Sequence, residues 1–443
     1  MKTTRHNSCS MLTLLALTLL LVLTTLAAQA QTYTVVHSFT GGADGSTPRS
    51  GVTPDGAGNY YGTTANGGFQ GQNCGQQGCG TVYKLTKKNG AWVLTNLYSF
   101  KGGSDGAWPT ARVVFGSDGA VYGTTFSGNG NSCTNNGCGT VFRLTPPVSP
   151  CHAVSCPWTE TILYRFSGPD GQLPGGELIF DHSGNIYGTT VAGGSGEWGA
   201  VYKLTHANGH WTESVLYNFT GQDDGGTPSG GVIFDNAGNL WGTTSSGGWN
   251  SLPDFYGPGV LYELTPNGSG WTDHTIYKFT DSSGDAGIPV ASLVLASDGT
   301  MYGTSSMGGS GLCTYNTYYQ GCGTVFTVAQ QSVAPLFFNF PVASETPGMS
   351  GPTASVTLDS QRNVYGTAFA AGQFDAGSVF KLTFPNYGYS SLHDFTGHSD
   401  GGYPSSNVVI DSSGNMFGTG MAGGNSTICT MQGGCGVIWQ ITP

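Results

Sequence analysis

Seven copies of one pattern run through this chain and constrain its fold more than any other feature. Each copy contains an aromatic-Gly-Thr segment with a proline thirteen residues before the aromatic residue. Successive copies lie 52–65 residues apart, a spacing that suits propeller blades better than short-period solenoids. The aromatic residues are Tyr61, Tyr122, Tyr187, Trp241, Tyr302, Tyr365 and Phe417, and the prolines are Pro48, Pro109, Pro174, Pro228, Pro289, Pro352 and Pro404.

Each copy predicts four short strands. The first is an apolar run such as residues 231–234, and a tight turn of the form Asp-x-x-Gly-Asn follows it, as at 181–185. The second strand holds the aromatic-Gly-Thr segment. The third has the form Gly-x-Val-aromatic-x-Leu, as at 80–85, and the fourth ends in a motif such as that at 98–100.

The second strand favours an all-β, seven-bladed β-propeller with four-stranded blades. Apolar residues precede the aromatic residue in every copy, so that both faces of this strand are apolar. A blade between two others buries both faces, whereas a sandwich sheet normally leaves one face in water. We expect the glycine after the aromatic residue to make room for the backbone or an aromatic side chain of the next blade.

The phase of the repeat predicts how the ring closes. We take the 231–234 type of strand as innermost and the strand that ends near Phe100 as outermost. The strand at 32–39 would then be the outermost strand of the last blade, and residues 407–442 would supply the other three. The N-terminal strand thus pairs with the C-terminal blade.

The first thirty residues have the features of a secretory signal peptide. Lys2 and Arg5 precede an apolar segment at 11–26, and Ala28-Gln29-Ala30 forms a small-x-small cleavage site. A membrane anchor is the alternative, although the segment is short and contains several threonines. We predict a signal peptide at 1–30 and a propeller at 31–443, with export to the extracellular space or periplasm and no membrane span after cleavage.

Ten cysteines remain after Cys9 and fall into five close pairs, which favours local disulfides in an oxidising compartment. Zinc binding is the alternative, but CxxC spacing is absent. The predicted disulfides join Cys74 to Cys79, Cys133 to Cys138, Cys151 to Cys156, Cys313 to Cys322 and Cys429 to Cys435.

The charge of the chain limits its partners. Only 9% of residues are charged, and the formal net charge is −11. A net negative charge argues against nucleic acid and anionic membranes as partners. We expect a monomer that binds extracellular polysaccharide or a protein, without a cofactor; calcium stays open as an alternative.

The repeat resembles the GloVer tandem repeat of secreted bacterial proteins and is similar to extracellular repeats of the HAF type. The resemblance rests on residues 225–228, 231–235 and 238–244, with the third-strand motif at 139–144, and it covers 31–443. It implies export and a repeat fold. It implies no defined activity, so no catalytic residue is carried over.

An aspartate stands seventeen residues before the aromatic residue in six of the seven copies, with Gly348 in the sixth copy. These residues would share a face with the loops that carry the cysteines. They predict a ring of carboxylates that binds a cation or a polar polymer; alternatively, each carboxylate caps its own turn. The six are Asp44, Asp105, Asp170, Asp224, Asp285 and Asp400.

Aromatic residues outside the repeat pattern form a second set of candidates. On loops of the same face they could stack on sugar rings or on a partner, or they could pack inside their own loops. They are Trp108, Trp198, Trp249, Tyr256, Tyr315, Tyr318 and Tyr319.

These observations predict a secreted, non-catalytic propeller that binds through its disulfide-stapled loop face. A secreted carbohydrate hydrolase or lyase is the alternative, and a structural envelope or biofilm protein is the second alternative. No catalytic or metal-ligand set is predicted. A hydrolase or lyase would need acids or histidines that converge on the central channel.

Overall fold

The computed structural model describes most of the chain from residue 31 onward. The described residues are 31–128, 133, 137–147, 158–248, 257–268, 270–280, 284–311, 313, 321–329, 332–340, 351–426, 428–429 and 433–443. They contain thirty β-strands and one 3₁₀ helix, Gly103–Asp105. The predicted signal peptide lies outside the described residues.

The strands form seven four-stranded antiparallel sheets arranged in a ring, so the prediction of a seven-bladed β-propeller is confirmed. The innermost strands are Thr53–Pro54, Val114–Phe115, Ile179–Phe180, Ile233–Phe234, Val294–Leu295, Thr357–Leu358 and Val409–Ile410. The second strands are Tyr60–Thr64, Val121–Thr125, Ile186–Thr190, Leu240–Thr244, Met301–Ser305, Val364–Ala368 and Met416–Gly420. A further short pair, Ala286–Gly287 with Met307–Gly308, lies outside the blades.

The third and outermost strands are longer. The third strands are Thr81–Lys88, Thr140–Thr145, Ala200–Ala207, Val260–Asn267, Thr324–Ala329, Ser378–Thr383 and Val437–Thr442. The outermost strands are Ala91–Ser99, Thr159–Arg165, His210–Asn218, Gly270–Lys278, Ser332–Asn339, Gly388–Asp394 and Thr32–Ser38. Blades are numbered 1 to 7 in this order.

The ring closes as the sequence predicts. Thr32–Ser38 pairs antiparallel with Val437–Thr442, from Thr32 opposite Thr442 to Ser38 opposite Val437. The N-terminal strand is therefore the outermost strand of blade 7. This one-plus-three arrangement ties the two ends of the propeller together by backbone hydrogen bonds.

All residues of each second strand are buried, as expected for a blade packed on both faces. The expected role of the segment's glycine is wrong in one respect. Gly62 lies opposite Tyr83 of the third strand in its own blade, and a Cβ at Gly62 would lie 2.4 Å from the Tyr83 hydroxyl. The aromatic side chain that needs the space comes from the same blade, because the strand register sets the two residues side by side.

Each of these third-strand aromatic side chains also contacts the preceding blade. The phenylalanine that follows an outermost strand is fully or almost fully buried and packs against the next blade's aromatic ring, at centroid distances of 5.0–6.2 Å. Such tilted and edge-to-face contacts add to the burial of apolar area. The pairs are Phe39–Tyr83, Phe100–Phe142, Phe166–Tyr202, Phe219–Tyr262, Phe279–Phe326, Phe340–Phe380 and Phe395–Trp439.

The turn between the innermost and second strands is built on its aspartate. Oδ1 of Asp181 accepts hydrogen bonds from the backbone N–H groups of Ser183 and Asn185, both at 2.9 Å. Oδ2 accepts from Nδ2 of Asn185 at 2.7 Å and from the Tyr187 hydroxyl at 3.1 Å. These hydrogen bonds explain why the turn motif contains an aspartate at its start and an asparagine at its end. The innermost strands themselves are shorter than expected, with two residues where the sequence suggests four.

Candidate functional site

Two sets of loops share one face of the propeller, as predicted. In blade 1 the loop that carries Asp44 bridges to the loop after the second strand, where the N–H of Ser46 donates to the carbonyl of Asn66 at 2.8 Å. Equivalent bridges join Ala107 to Ser127 and Gly226 to Ser246. We call this face, which carries Asp44, the Cys74–Cys79 pair and their counterparts in the other blades, the stapled face.

Four of the five predicted disulfides form within the described residues. They close short segments of the loops after the second strand or beside it, with Cα–Cα distances of 4.9–5.3 Å. The four are Cys74–Cys79, Cys133–Cys138, Cys313–Cys322 and Cys429–Cys435.

The fifth predicted disulfide, between Cys151 and Cys156, is not among these four. Cys151 lies outside the described residues, and Cys156 lies outside them as well. The segment that holds both cysteines joins the third and outermost strands of blade 2, Thr140–Thr145 and Thr159–Arg165. The bond between Cys151 and Cys156 therefore stays a prediction from the sequence.

Trp198 occupies the position of a cysteine in other blades. It precedes the first glycine of its blade's third-strand motif, Gly199, as Cys79 precedes Gly80. A Cβ at Gly221 would lie 2.3 Å from the indole, whereas in blade 1 a Cβ at the equivalent Gly102 would lie 2.9 Å from Sγ of Cys79. The indole therefore covers the next blade's glycine loop, as the disulfide does elsewhere.

All six predicted aspartates cap their own loops. In the loop between blades 3 and 4, Oδ2 of Asp224 accepts from the N–H of Thr220 at 2.9 Å and from the Tyr217 hydroxyl at 3.0 Å, and Oδ1 accepts from the Thr220 hydroxyl. Each of the other five accepts one hydrogen bond from the backbone N–H of the residue after the phenylalanine that follows the outermost strand. Each also accepts a hydrogen bond from a nearby side chain. Each carboxylate thus has a structural role in its loop, whatever else it binds.

Histidine replaces tyrosine as the partner of two of these aspartates. Nε2 of His37 lies 3.1 Å from Asp44, and Nε2 of His393 lies 3.2 Å from Asp400. Burial raises the pKa of Asp44, but hydrogen bonds from His37 and Thr40 outweigh it and leave that pKa below its usual value. Burial lowers the pKa of His393 despite the nearby Asp400 carboxylate.

Three further carboxyl groups, which the sequence analysis did not single out, face this ring from the outermost strands of blades 2, 3 and 4. Burial and then the nearby Asp105 raise the pKa of Glu160 to about 7, and burial with Asp170 does the same for Glu213. Burial with Asp224 raises the pKa of Asp273 to about 6. A repeated Trp-Thr-acid sequence, at 158–160, 211–213 and 271–273, is the signal that could have revealed them.

The residue before each repeat proline has a left-handed backbone in six copies. Its φ angle lies between 50° and 60°, a conformation that is costly for bulky side chains and clusters at functional sites. Backbone hydrogen bonds hold it on both sides: Trp108 donates to Cys79 O at 2.9 Å and accepts from Phe126 N–H at 3.0 Å. The six residues are Thr47, Trp108, Leu173, Thr227, Ile288 and Tyr403.

The central channel opens on the stapled face as a cavity of about 810 Å³, which we call the channel mouth. Every blade contributes the residue ten positions before its repeat aromatic residue, just ahead of the innermost strand. These seven equivalent positions carry two glycines, two serines, an arginine, a glutamate and an asparagine, so the mouth is chemically asymmetric. They are Gly51, Arg112, Glu177, Gly231, Ser292, Ser355 and Asn407.

A bidentate ion pair crosses from blade 2 to blade 3 in the channel mouth. Nε of Arg112 lies 3.1 Å from Oε1 of Glu177, and Nη2 lies 2.9 Å from Oε2. The Glu177 carboxylate raises the pKa of Arg112. Arg49 also lines the mouth and is exposed, and no ion-pair partner for it lies among the residues that the structure describes.

Trp108 is the predicted aromatic residue that lines the channel mouth, beside Phe126 and Phe369. Its half-buried ring also packs on the core between blades 1 and 2. Hydroxyl groups complete the lining, from Thr110, Ser229, Thr353 and Ser405. The remaining predicted aromatic residues, Trp249, Tyr256, Tyr315, Tyr318 and Tyr319, lie outside the described residues.

Two searches of the described residues bear on ligands and location. Within them, no three His, Cys, Asp or Glu side chains come together in a way that could hold a metal ion. No helix in the same part of the chain is long and apolar enough to cross a membrane. The four disulfides fit an oxidising location such as the extracellular space or periplasm.

The blades and their loops define the protein as a disulfide-stapled, seven-bladed β-propeller. The sequence profile of the Gloeobacter/Verrucomicrobia repeat matches residues 22–155 and 132–312, which together span more than half of the 443 residues. The chain belongs to this repeat family, and the resemblance to GloVer repeats is confirmed. A comparison with curated protein sequences found no match.

Solved structures that resemble the chain do so at low identity. They include a putative 6-phosphogluconolactonase from Bacteroides fragilis, with a TM-score of 0.49, 14% identity and coverage of 83% of this chain and 89% of that chain. A second from Bacteroides uniformis has a TM-score of 0.45, 12% identity and coverage of 78% and 84%. A luciferin-regenerating enzyme has a TM-score of 0.41, 11% identity and coverage of 93% and 95%.

Proposed function

We propose that this protein is exported and binds an extracellular polysaccharide, without cleaving it, at the channel mouth of the stapled face. The observation that carries the proposal is the composition of the channel mouth. Trp108 offers an aromatic surface there, while Arg49, Asn407 and several hydroxyl groups offer hydrogen-bonding groups around it. Sugar rings present an apolar face and a rim of hydroxyls, so a mixed aromatic and polar lining suits them.

The charges in the channel mouth favour recognition over hydrolysis. Glycoside hydrolysis commonly uses two carboxyl groups, one on each side of the scissile bond. Among the described residues that line this cavity, Glu177 is the carboxylate, and both its oxygens bind the Arg112 guanidinium. The Arg112 guanidinium therefore occupies this carboxylate, and no second carboxyl group lies among the described residues that line the cavity.

The rigid backbone of the face supports the same proposal. Binding sites are commonly carried by loops that a stable scaffold holds in place. Here disulfides, aspartate caps and interblade hydrogen bonds fix the loops around the channel mouth. Preorganised loops lose little conformational entropy when a polymer binds, so a modest contact area can suffice.

The proposal is tested by binding of the purified protein to cellulose, chitin, xylan and alginate, with and without calcium, while released reducing sugar is assayed. We expect binding to at least one of them without sugar release. Trp108→Ala should weaken it at least tenfold. Trp211→Ala is the matched control, because Trp211 lies on the outermost strand of blade 3, outside the channel mouth.

Other outcomes favour the alternatives. Release of reducing sugar would support the hydrolase or lyase alternative. Binding that Trp108→Ala and Trp211→Ala weaken equally would place the site elsewhere on the propeller. Binding that appears only with calcium would give the six loop aspartates a ligand role. No binding, with concentration-dependent self-association, would favour a structural envelope protein.

A further inference from the structure

A second cavity, of about 580 Å³, lies between blades 6 and 7 on the stapled face. Three large aromatic side chains line it, Phe369, Phe374 and Tyr403, and the remaining lining residues include Met421, Thr396 and His398. Phe374 is 50% exposed and Tyr403 is 38% exposed, high values for large apolar side chains in this molecule. Ala376 and Gly397 also line it.

Blade 3 reveals what fits this position. Trp198 and Ala376 occupy equivalent positions. Each directly precedes the glycine that opens its third-strand motif, and in both blades that glycine lies twelve residues after the repeat aromatic residue. In blade 3 the indole lies against two glycines of the next loop: Cβ atoms there would lie 2.3 Å from it at Gly221 and 2.8 Å from it at Gly226. The side chain of Trp198 is therefore an internal example of a flat ring bound in this slot.

The backbone of the slot is the same in both places. The carbonyl of Trp198 accepts the N–H of Thr227 at 2.7 Å, and the carbonyl of Ala376 accepts the N–H of Tyr403 at 2.6 Å. The glycine loops match as well, since Gly397 has a φ of 78° and Gly221 a φ of 74°. The two slots differ in the side chain that fills them.

Alanine leaves the slot between blades 6 and 7 open. A Cβ added at Gly397 would lie 3.3 Å from the Cβ of Ala376. At the equivalent Gly221 an added Cβ would clash with the Trp198 indole. In blades 1 and 7 a disulfide lies against the corresponding glycine, Gly102 or Gly41. The open slot thus has the backbone of a filled one and lacks the filling group.

We propose that this cavity, which we call the aromatic slot, binds a small ligand with a planar aromatic ring of up to indole size. The ring would lie over Gly397 in the place that the Trp198 indole takes over Gly221. Phe374 and Tyr403 would contact it from the sides, and apolar burial with aromatic contacts would supply the affinity. The inference does not rest on the proposed function, because it requires neither export nor a polysaccharide.

The test uses indole as the probe and ligand-observed NMR titration of the purified protein. We expect saturable binding of indole and no binding of cyclohexanol, whose saturated ring is not flat. Ala376→Trp should lower indole affinity at least tenfold, because the introduced indole fills the slot as Trp198 fills its own. Ala237→Trp is the matched control, on an exposed turn outside the slot, and should bind indole as the wild type does.

Two further variants keep the test decisive. Phe374→Ala removes a half-exposed ring and should weaken binding several-fold without loss of folding. Trp198→Ala should open a second slot, so that the number of bound indoles rises from one to two. Absence of indole binding to the wild type, or unchanged binding to a folded Ala376→Trp or Phe374→Ala variant, would overturn the proposal.

Discussion

The backbone N–H of Trp108 donates a hydrogen bond to the carbonyl oxygen of Cys79, at 2.9 Å. One residue lines the channel mouth and the other belongs to a disulfide of the preceding blade. The same link joins Leu173 to Cys138 and Thr47 to Cys435, both at 2.8 Å. The disulfide thus fixes the residue whose carbonyl accepts this bond. In blades 3 and 6, which have no cysteine at that position, Trp198 and Ala376 accept the same bond.

Loss of one disulfide should loosen the channel mouth locally. We expect the double variant Cys74→Ser, Cys79→Ser to lose about 1–3 kcal/mol of unfolding free energy, because a short loop regains chain entropy when it is opened. Hydrogen exchange should rise at Trp108 and its neighbours and stay unchanged in the third strands of distant blades. A uniform rise across all blades would contradict local stapling.

The stability of the propeller should fall between about pH 5 and pH 8. The pKa values of Glu160 and Glu213, about 7, and of Asp273, about 6, lie above the ordinary values near 4. The folded state therefore binds more protons than the unfolded state in this range, and unfolding free energy decreases as pH rises. His393, with its lowered pKa, acts in the opposite direction, but as one group against three.

Urea unfolding at pH 5 and pH 8 measures this effect. The triple variant Glu160→Gln, Glu213→Gln, Asp273→Asn should flatten the profile and be the more stable protein at pH 8. Glu197→Gln changes an exposed carboxylate and serves as the control, which should leave the profile unchanged. A rise in the unfolding free energy of the wild type from pH 5 to pH 8 would contradict the raised pKa values of these three carboxyl groups in the folded state.

The ion pair between Arg112 and Glu177 should couple blades 2 and 3. We expect Glu177→Gln to lower the unfolding free energy by about 1–2 kcal/mol, because the guanidinium would keep a neutral partner in a half-buried site. A double-mutant cycle with Arg112→Gln measures the coupling, for which we expect about 1 kcal/mol. Strict additivity of the two substitutions would show that the pair contributes nothing.

Asp224 should stabilise its loop with or without calcium. Asp224→Ala removes the acceptor for the N–H of Thr220 and for the Tyr217 hydroxyl, so we expect a loss of about 1–3 kcal/mol. Thermal unfolding with added calcium or with chelator checks it, with Asp223→Ala, a more exposed neighbour, as the control. A calcium-dependent loss at Asp224 alone would assign metal binding to the ring.

The fold was predictable because each repeat is a supersecondary unit that specifies itself. The Asp-x-x-Gly-Asn turn, the buried second strand and the phase of the N-terminal strand are local or repeated signals, and all three predictions are confirmed. The sequence analysis wrongly expected the glycine of the aromatic-Gly-Thr segment to make room for a group from the next blade. Every blade carries aromatic side chains, so the sequence does not show which blade's ring lies beside the glycine. Register alone sets Gly62 opposite Tyr83.

The site was less predictable because it depends on contacts between blades. Arg112 and Glu177 are separated by 65 positions, and no periodic signal marks them, because the equivalent position carries glycine, serine or asparagine in the other five copies. The sequence singles out Trp108, but its place in the channel mouth depends on the ring geometry. The aspartate caps are local contacts, and the sequence analysis gives them as the alternative to a ligand role. An alignment of the repeats places Trp198 and Ala376 at the position of a disulfide cysteine. It does not show that this position lies against a glycine of the loop that leads to the next blade.

The most direct test of the proposed site is a hydrogen-exchange map of the protein with and without the polysaccharide that it retains most strongly. Binding at the channel mouth predicts protection of residues 47–52 and 108–112, which lie together on the stapled face, with unchanged exchange in the outermost strands. Protection confined to the outermost strands or to the turns on the opposite face would contradict the account.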